Sequence, residues 1–143
     1  MVGCFQGGCA GSTPSATAVT TARPGLLSRD LLATEKATLG HVLSRTFKDP
    51  GSAQFQWGPV WYAPNTASTE YCGIVNSKNS YGAYTGYQMF HATLYPDAKG
   101  QYTSGTLDGI LADNATGDQL KTNVHYEELC IEAGYGKLSL VPQ

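Results

Sequence analysis

The sequence has little charge and few basic residues. Only 14% of its 143 residues are Asp, Glu, Lys or Arg, 9 residues are Lys or Arg, and the formal net charge is −2. A protein that binds nucleic acid needs a dense basic surface to neutralise phosphates, so this composition excludes nucleic acid as an expected partner. Low charge together with many Gly, Ser, Thr, Asn and Tyr residues is more typical of secreted or envelope proteins than of cytosolic enzymes.

The sequence also lacks the local signatures of the common enzyme classes. It contains no phosphate loop, no G-x-S-x-G elbow, no dinucleotide fingerprint and no C-x-x-C pair, and its three histidines fall on separate segments. Cys72 with His91 is the one thiol and base pair that a hairpin would bring close, but the alternation of the strands assigns them to opposite faces. We therefore expect no catalytic residue, no metal and no cofactor.

The N-terminal segment, residues 1–27, is rich in small residues and Thr and shows no sustained periodicity. We expect it to be a flexible tether, followed by a single domain over residues 28–143. As written it contains neither a complete signal peptide nor a membrane span. Met1 to Cys4 is similar to the end of a bacterial lipobox, which makes Cys4 a candidate for lipidation; the alternative is an ordinary leader in which Cys4 and Cys9 pair with each other or stay unpaired.

Cys72 and Cys130 lie in segments that have the pattern of folded structure, and we expect them to form a disulfide. A bridge across so long a loop stabilises a protein by about 4 kcal/mol in the chain-entropy model. The alternative is a pair of buried, reduced thiols, because cysteine is often simply a small apolar residue. A disulfide would place the protein in an oxidising compartment outside the cytosol.

The hydrophobic pattern predicts an α+β domain. Residues 28–49 have apolar side chains at helical spacing with Ser28 as the cap, and a second, shorter helix is expected from Asn123 to Ala133, ending at Gly134. Residues 71–95 alternate as two strands around a long loop. Residues 54–62, interrupted by Gly58-Pro59, predict an edge strand or a bulge. The prediction is an antiparallel sheet of about four strands with both helices packed on one face, and no βαβ alternation.

The loop between the two central strands is the candidate binding surface. It combines amphipathic aromatic side chains with short polar ones, a mixture also used by antibody paratopes. The alternative is a structural role, in which the Asn side chains bond to the loop backbone and the tyrosines cover the sheet. The predicted binding residues are Asn76, Lys78, Asn79, Tyr81, Tyr84 and Tyr87.

Two strings of residues resemble motifs of small exported proteins encoded by bacteria and phages. These motifs read K-D-P-x-S-A-x-F and C-G-x-V-N-x-K-N-x-x-G-x-Y-x-G, and the likeness covers about residues 30–95. Ala83 stands where a second glycine is common. The resemblance implies an exported, often lipoprotein-like domain and no particular activity. The matching residues are Lys48-Asp49-Pro50, Ser52-Ala53, Phe55, Cys72-Gly73, Val75-Asn76, Lys78-Asn79, Tyr81-Gly82 and Tyr84-Thr85-Gly86.

These observations together predict an exported binding module that does no chemistry. We expect it in the periplasm or anchored at the cell envelope through a lipid on Cys4, where it would bind an envelope protein or a cell-wall component. Its expected roles are inhibitor, immunity or exclusion factor, or part of an envelope assembly. The alternative is a small envelope hydrolase that acts on cell-wall material.

Overall fold

The computed structural model describes residues 25–111 and 115–135. The predicted tether, apart from residues 25–27, and the candidate lipidation site Cys4 lie outside the described residues. The elements, in chain order, are strand β1 (Leu27–Arg29), helix α1 (Ala33–Leu43), two short 3₁₀ turns (Ser44–Thr46 and Pro50–Ser52), strands β2 (Gln54–Gln56), β3 (Val60–Tyr62), β4 (Thr69–Asn76), β5 (Gln88–Pro96) and β6 (Tyr102–Ile110), and helix α2 (Gly117–Glu132).

The described strands form two antiparallel sheets. The larger sheet has four strands in the order β2-β4-β5-β6, and β1 pairs with β3 in a two-stranded ribbon. The central hairpin joins β4 to β5 in a register that places Cys72 opposite His91 and Gly73 opposite Phe90. The predicted α+β class, with a four-stranded antiparallel sheet and two helices, is confirmed.

One face of the four-stranded sheet carries the main hydrophobic core. Tyr71 and Phe90 are fully buried there, together with Leu39 and Leu43 from α1. Gly105 on β6 lies beneath this helix, since a Cβ placed on it would be 3.6 Å from the Leu43 side chain. Helix α1 therefore packs on the face formed by alternate residues of β4, β5 and β6.

Helix α2 contacts the opposite face of the same sheet. Cys130 is bonded to Cys72, whose side chain points away from the Tyr71 face, and the Tyr126 ring stacks on His91. The position of α2 thus differs from the expectation that both helices share one face. The physical reason is that residues 71–75 of β4 are all buried, on both sides of the strand, so the sheet needs cover on both faces.

The predicted disulfide between Cys72 and Cys130 is confirmed. The two residues are 58 positions apart in sequence, their Cα atoms are 5.9 Å apart, and both side chains are buried. The bond joins the centre of the sheet to the last turns of α2. Because Cys130 is the only residue within the helix that is buried, the disulfide is the main attachment of α2.

The starts of both helices differ from the prediction. Ser28 lies in β1, and α1 begins after Leu32, whose backbone N–H donates to the Glu35 carboxylate over 2.7 Å. Helix α2 begins at Gly117, so Asn123 lies inside the helix instead of capping it. The end of α2 agrees with the prediction, since Gly134 has the positive φ of +108° that glycine adopts most easily at a helix end.

Helix α1 ends at Leu43, before the expected end at residue 49, whereas the segment from Pro50 agrees with the sequence pattern. Pro50 begins a single 3₁₀ turn, and β2 is an edge strand of the four-stranded sheet. The chain leaves this sheet at Gly58-Pro59, and β3 pairs with β1 instead. No described helix is long and apolar enough to cross a membrane.

Candidate functional site

The loop between β4 and β5, residues 76–87, is held by hydrogen bonds to two of its own asparagine side chains. Asn79 Oδ1 accepts bonds from the backbone N–H groups of Tyr81 (2.9 Å) and Ala83 (3.2 Å). Asn76 Oδ1 accepts a bond of 3.0 Å from the N–H of Gly86. Asparagine side chains commonly stabilise turns in this way, so both residues act inside the loop. We call residues 76–87 the tyrosine loop.

Backbone contacts complete the bracing of the tyrosine loop. The Asn79 N–H donates to the Ala83 carbonyl over 2.8 Å, and the Thr85 N–H donates to the Ser77 carbonyl over 3.1 Å. Gly82 has a φ of +81°, in the left-handed region that glycine adopts without a steric penalty. The loop therefore has a defined conformation of its own.

The base of the tyrosine loop is fixed to the turn at Pro50–Ser52. The Lys78 N–H donates to Ser52 Oγ over 2.9 Å, and the Tyr84 hydroxyl donates to the Ser52 carbonyl over 3.2 Å. Lys78 Nζ also lies 5.5 Å from the centre of the Tyr84 ring, which is cation–π distance. This contact brings together two elements that are far apart in sequence.

The structure separates the predicted binding residues into three groups. Tyr81 projects from the tip with 94% of its surface exposed, and Tyr84 is 44% exposed. Lys78 and Tyr87 are half-buried. Asn76 and Asn79 use their side chains to hold the loop, as the structural alternative proposed. Tyr81 and Tyr84 remain available on the surface, and their role in binding stays a prediction.

A second polar cluster lies beneath α2 and centres on His91, which is only 4% exposed. His91 Nε2 is 3.0 Å from Glu70 Oε1, and Nδ1 is 2.9 Å from Asp108 Oδ2, although the Asp108 oxygen is not aligned for a hydrogen bond. Asp108 also accepts a bond of 2.7 Å from the Thr93 hydroxyl. The Tyr126 ring covers the imidazole at 5.3 Å. The imidazole is therefore enclosed between the sheet and α2, whereas the Glu70 and Asp108 side chains are 42% and 28% exposed.

The expectation that Cys72 and His91 face opposite sides is wrong. They are direct partners across the antiparallel hairpin, and direct partners point to the same face. The alternation within each strand was predicted correctly, but the sequence alone did not fix the register between the two strands. Cys72 is nevertheless bonded to Cys130, so it is no free thiol that His91 could activate.

An ion pair at the start of α1 was not found from the sequence. The Arg29 guanidinium donates to both Glu35 oxygens, at 2.7 and 2.8 Å, and the Tyr102 N–H donates to Oε2 over 2.7 Å. Burial raises the pKa of the Glu35 carboxyl, but hydrogen bonds from Arg29 and from the Leu32 and Tyr102 backbones outweigh it and lower the pKa from 4.5 to about 2. Both oxygens are engaged, so this carboxylate holds structure together.

Among residues 25–111 and 115–135, no group of three His, Cys, Asp or Glu side chains is arranged to hold a metal ion. Nothing matched this chain when it was compared with protein-family models, with curated proteins and with solved structures. The likeness to motifs of exported proteins therefore stays a prediction, and the assignment of function rests on the geometry of the site.

Proposed function

We propose that this chain is an exported binding domain that recognises another macromolecule through the tyrosine loop and performs no chemistry. The observation that carries the proposal is Tyr81, a large aromatic side chain 94% exposed at the tip of a loop that internal hydrogen bonds hold in one conformation. An exposed tyrosine offers a large contact area at low cost in side-chain entropy. A braced loop loses less conformational freedom on binding, which favours affinity.

The proposed partner is an envelope protein or a cell-wall component. The disulfide supports a location outside the reducing cytosol, since such bonds persist mainly in oxidising compartments. Attachment to a membrane through a lipid on Cys4 is part of the same proposal. The roles consistent with a binding domain of this kind are inhibition, immunity or exclusion, and envelope assembly.

The hydrolase alternative has less support from the described residues. Glu70 and Asp108 are the carboxylates that approach a shared group, and that group is a histidine buried under Tyr126. A hydrolase needs its acid and base at the wall of a cleft that admits substrate. The imidazole that these carboxylates share is only 4% exposed, which favours binding over hydrolysis.

A pull-down from envelope extract tests the tyrosine loop. The baits are the wild-type chain, the variant with Tyr81→Ala and Tyr84→Ala, and a control with Tyr95→Ala. Tyr95 is also an exposed tyrosine, at 40%, but it lies on β5 outside the tyrosine loop. The control therefore removes the same kind of side chain from a different place on the surface. We expect a partner that the wild type and the Tyr95→Ala control retain and the double variant loses. Equal recovery of every partner by all three baits would overturn the proposal.

Intact-mass measurement of the native protein tests the proposed compartment. We expect a mass lower by two hydrogens for the disulfide, and an added acyl mass on the peptide that contains Cys4. A native protein with four free thiols and no acyl group would contradict export and anchoring.

A further inference from the structure

A groove of about 540 Å³ lies between α1 and the edge strand β2. Its floor includes the rings of Phe55 and Trp57, which stack at 4.6 Å. On the helix side the wall is formed by Ala37 and Gly40, whose small size keeps the groove open. A volume of this size is in the range that proteins use to bind ligands. Nothing in the tyrosine loop lines it, so the groove is a separate surface.

The groove follows a sheet edge. Strand β2 is the end strand of the four-stranded sheet, and within the described part of the chain no hydrogen bond connects its outer side to another segment. An open edge offers unpaired N–H and C=O groups, which an extended peptide can use to add itself as a further strand. A glycan has no repeating amide backbone that could pair in this way. The edge therefore favours a peptide as the occupant.

The charged residue among those that line the groove is basic. Lys36, exposed on α1, lines the groove beside the polar and exposed His41, and no Asp or Glu is among the lining residues. The basic character of this wall contrasts with the net charge of the whole chain, which is −2. Complementary charge steers a partner and selects against wrong ones. The occupant is therefore expected to carry acidic side chains.

We propose that this groove binds an extended segment of a protein partner, which adds to the outer edge of β2, places an apolar side chain over Phe55 and Trp57, and presents acidic side chains to Lys36 and His41. The proposal does not depend on the tyrosine loop as a contact surface, and either proposal can fail without the other. The turn at Pro50–Ser52 borders both surfaces, so one partner can contact both at the same time.

The test uses a displayed library of short random linear peptides, selected against the full-length chain, with intrinsic tryptophan fluorescence as the readout of binding. The blocking variant is Gly40→Leu. A Cβ on Gly40 would be 3.7 Å from Trp57, an ordinary contact, so the larger side chain fills the groove without a clash at its first atom. Leucine also favours helix more than glycine, so α1 is retained. The matched control is Thr38→Leu, an exposed position on α1 outside the lining.

We expect the selected peptides to be enriched in Asp or Glu around an apolar residue. Gly40→Leu should weaken their binding by at least about tenfold, as expected when one buried apolar side chain loses its site. Lys36→Glu should also weaken it, whereas Thr38→Leu should leave it unchanged. Enrichment of basic peptides, or equal affinity for wild type and Gly40→Leu, would overturn the proposal.

Hydrogen exchange of the peptide-free chain tests the other possible occupants. We expect fast exchange of the amides on the outer edge of β2 at every protein concentration. Protection at all concentrations would mean that another segment of this chain covers the edge, and protection that disappears on dilution would mean that a second copy does. Either result would overturn the assignment to a partner's segment.

Discussion

At the scale of single residues, the most consequential side chain is Glu35, a carboxylate with only 1% of its surface exposed. It joins three elements, because it binds Arg29 at the end of β1, Leu32 at the start of α1 and Tyr102 at the start of β6. A buried carboxylate is tolerated when both of its oxygens are hydrogen-bonded, as those of Glu35 are. Removing its charge would leave the Arg29 guanidinium without a compensating negative charge.

The lowered pKa of Glu35 predicts a specific loss of stability in acid. The folded-state pKa is about 2, below the ordinary 4.5, so the stabilisation is fully present above pH 4.5 and is lost as the pH falls from there towards 2. The shift corresponds to about 3 kcal/mol. We expect the difference in unfolding free energy between wild type and Glu35→Gln, measured in urea, to shrink across this window. A difference in unfolding free energy that stays constant from pH 4.5 towards pH 2 would contradict the lowered pKa of Glu35.

Gly73 is a second residue whose identity the packing determines. A Cβ at this position would lie 2.9 Å from two atoms of the Phe90 ring in the core. We expect Gly73→Ala to lower the unfolding free energy by about 2 kcal/mol, because an overpacked core shifts side chains or backbone. Gly58→Ala is the control, since a Cβ there meets nothing within 4 Å. Equal stability of the two variants in urea unfolding would show that Phe90 moves aside without cost.

At the scale of elements, the two helices are attached in different ways. Helix α1 contributes Leu39 and Leu43 to the main core, whereas α2 buries only Cys130 among its 16 residues and leaves Leu120, Val124 and Ile131 more than 40% exposed. Most helices in proteins are stabilised by packing of an apolar face. Helix α2 has little such packing and depends on its covalent link to the sheet.

This difference predicts the effect of removing the disulfide. We expect the double variant Cys72→Ala and Cys130→Ala to lose about 4 kcal/mol of unfolding free energy, as the chain-entropy model gives for a loop of this length. Within the folded state, amide protons of α2 should exchange faster than in wild type while those of α1 change little. Native-state hydrogen exchange measures both. Uniform acceleration of exchange in both helices would mean that the bond stabilises the whole molecule and not α2 in particular.

The elements that the sequence predicted well are those with local signals. The alternation of β4 and β5, the glycine at the end of α2 and the proline that begins the turn at residue 50 all follow from the residues themselves. The starts of the helices were missed because Leu32 and Thr116 precede them without a side-chain cap, whereas Ser28 and Asn123 resemble caps.

The Arg29–Glu35 pair and the His91 cluster depend on register and tertiary contact, which no local pattern contains. In the tyrosine loop, composition indicated a surface, but only the hydrogen bonds separated bracing residues from exposed ones.

At the scale of the whole molecule, one sheet is covered on both faces, and its centre is the aromatic cluster around Tyr71. This residue contacts the rings of Trp57, Phe90 and Tyr135, and its hydroxyl donates to the Gly58 carbonyl in the segment between β2 and β3. The cluster connects the four-stranded sheet, the two-stranded ribbon and the end of α2. A change of charge there affects the entire fold.

Alkaline pH supplies that change of charge. Burial raises the pKa of both Tyr71 and Tyr135 well above the ordinary value of 10.0. A raised pKa in the folded state means that the stabilisation is complete below pH 10 and is lost as the pH rises further. We expect cooperative unfolding above pH 10, followed by circular dichroism, with tyrosinate absorbance appearing in the same transition. Tyr71→Phe should shift the transition to higher pH; tyrosinate that appears while the circular dichroism is unchanged would contradict this coupling.

The order of the cysteines along the chain has a consequence for biosynthesis. Translation proceeds from the N-terminus, so Cys4, Cys9 and Cys72 leave the ribosome before the native partner of Cys72 exists. If oxidant is present during that interval, any bond from Cys72 to Cys4 or Cys9 is non-native and must later be exchanged through thiol attack. The yield of native protein therefore depends on delaying the oxidation of Cys72 or on an isomerase that reverses its premature bonds.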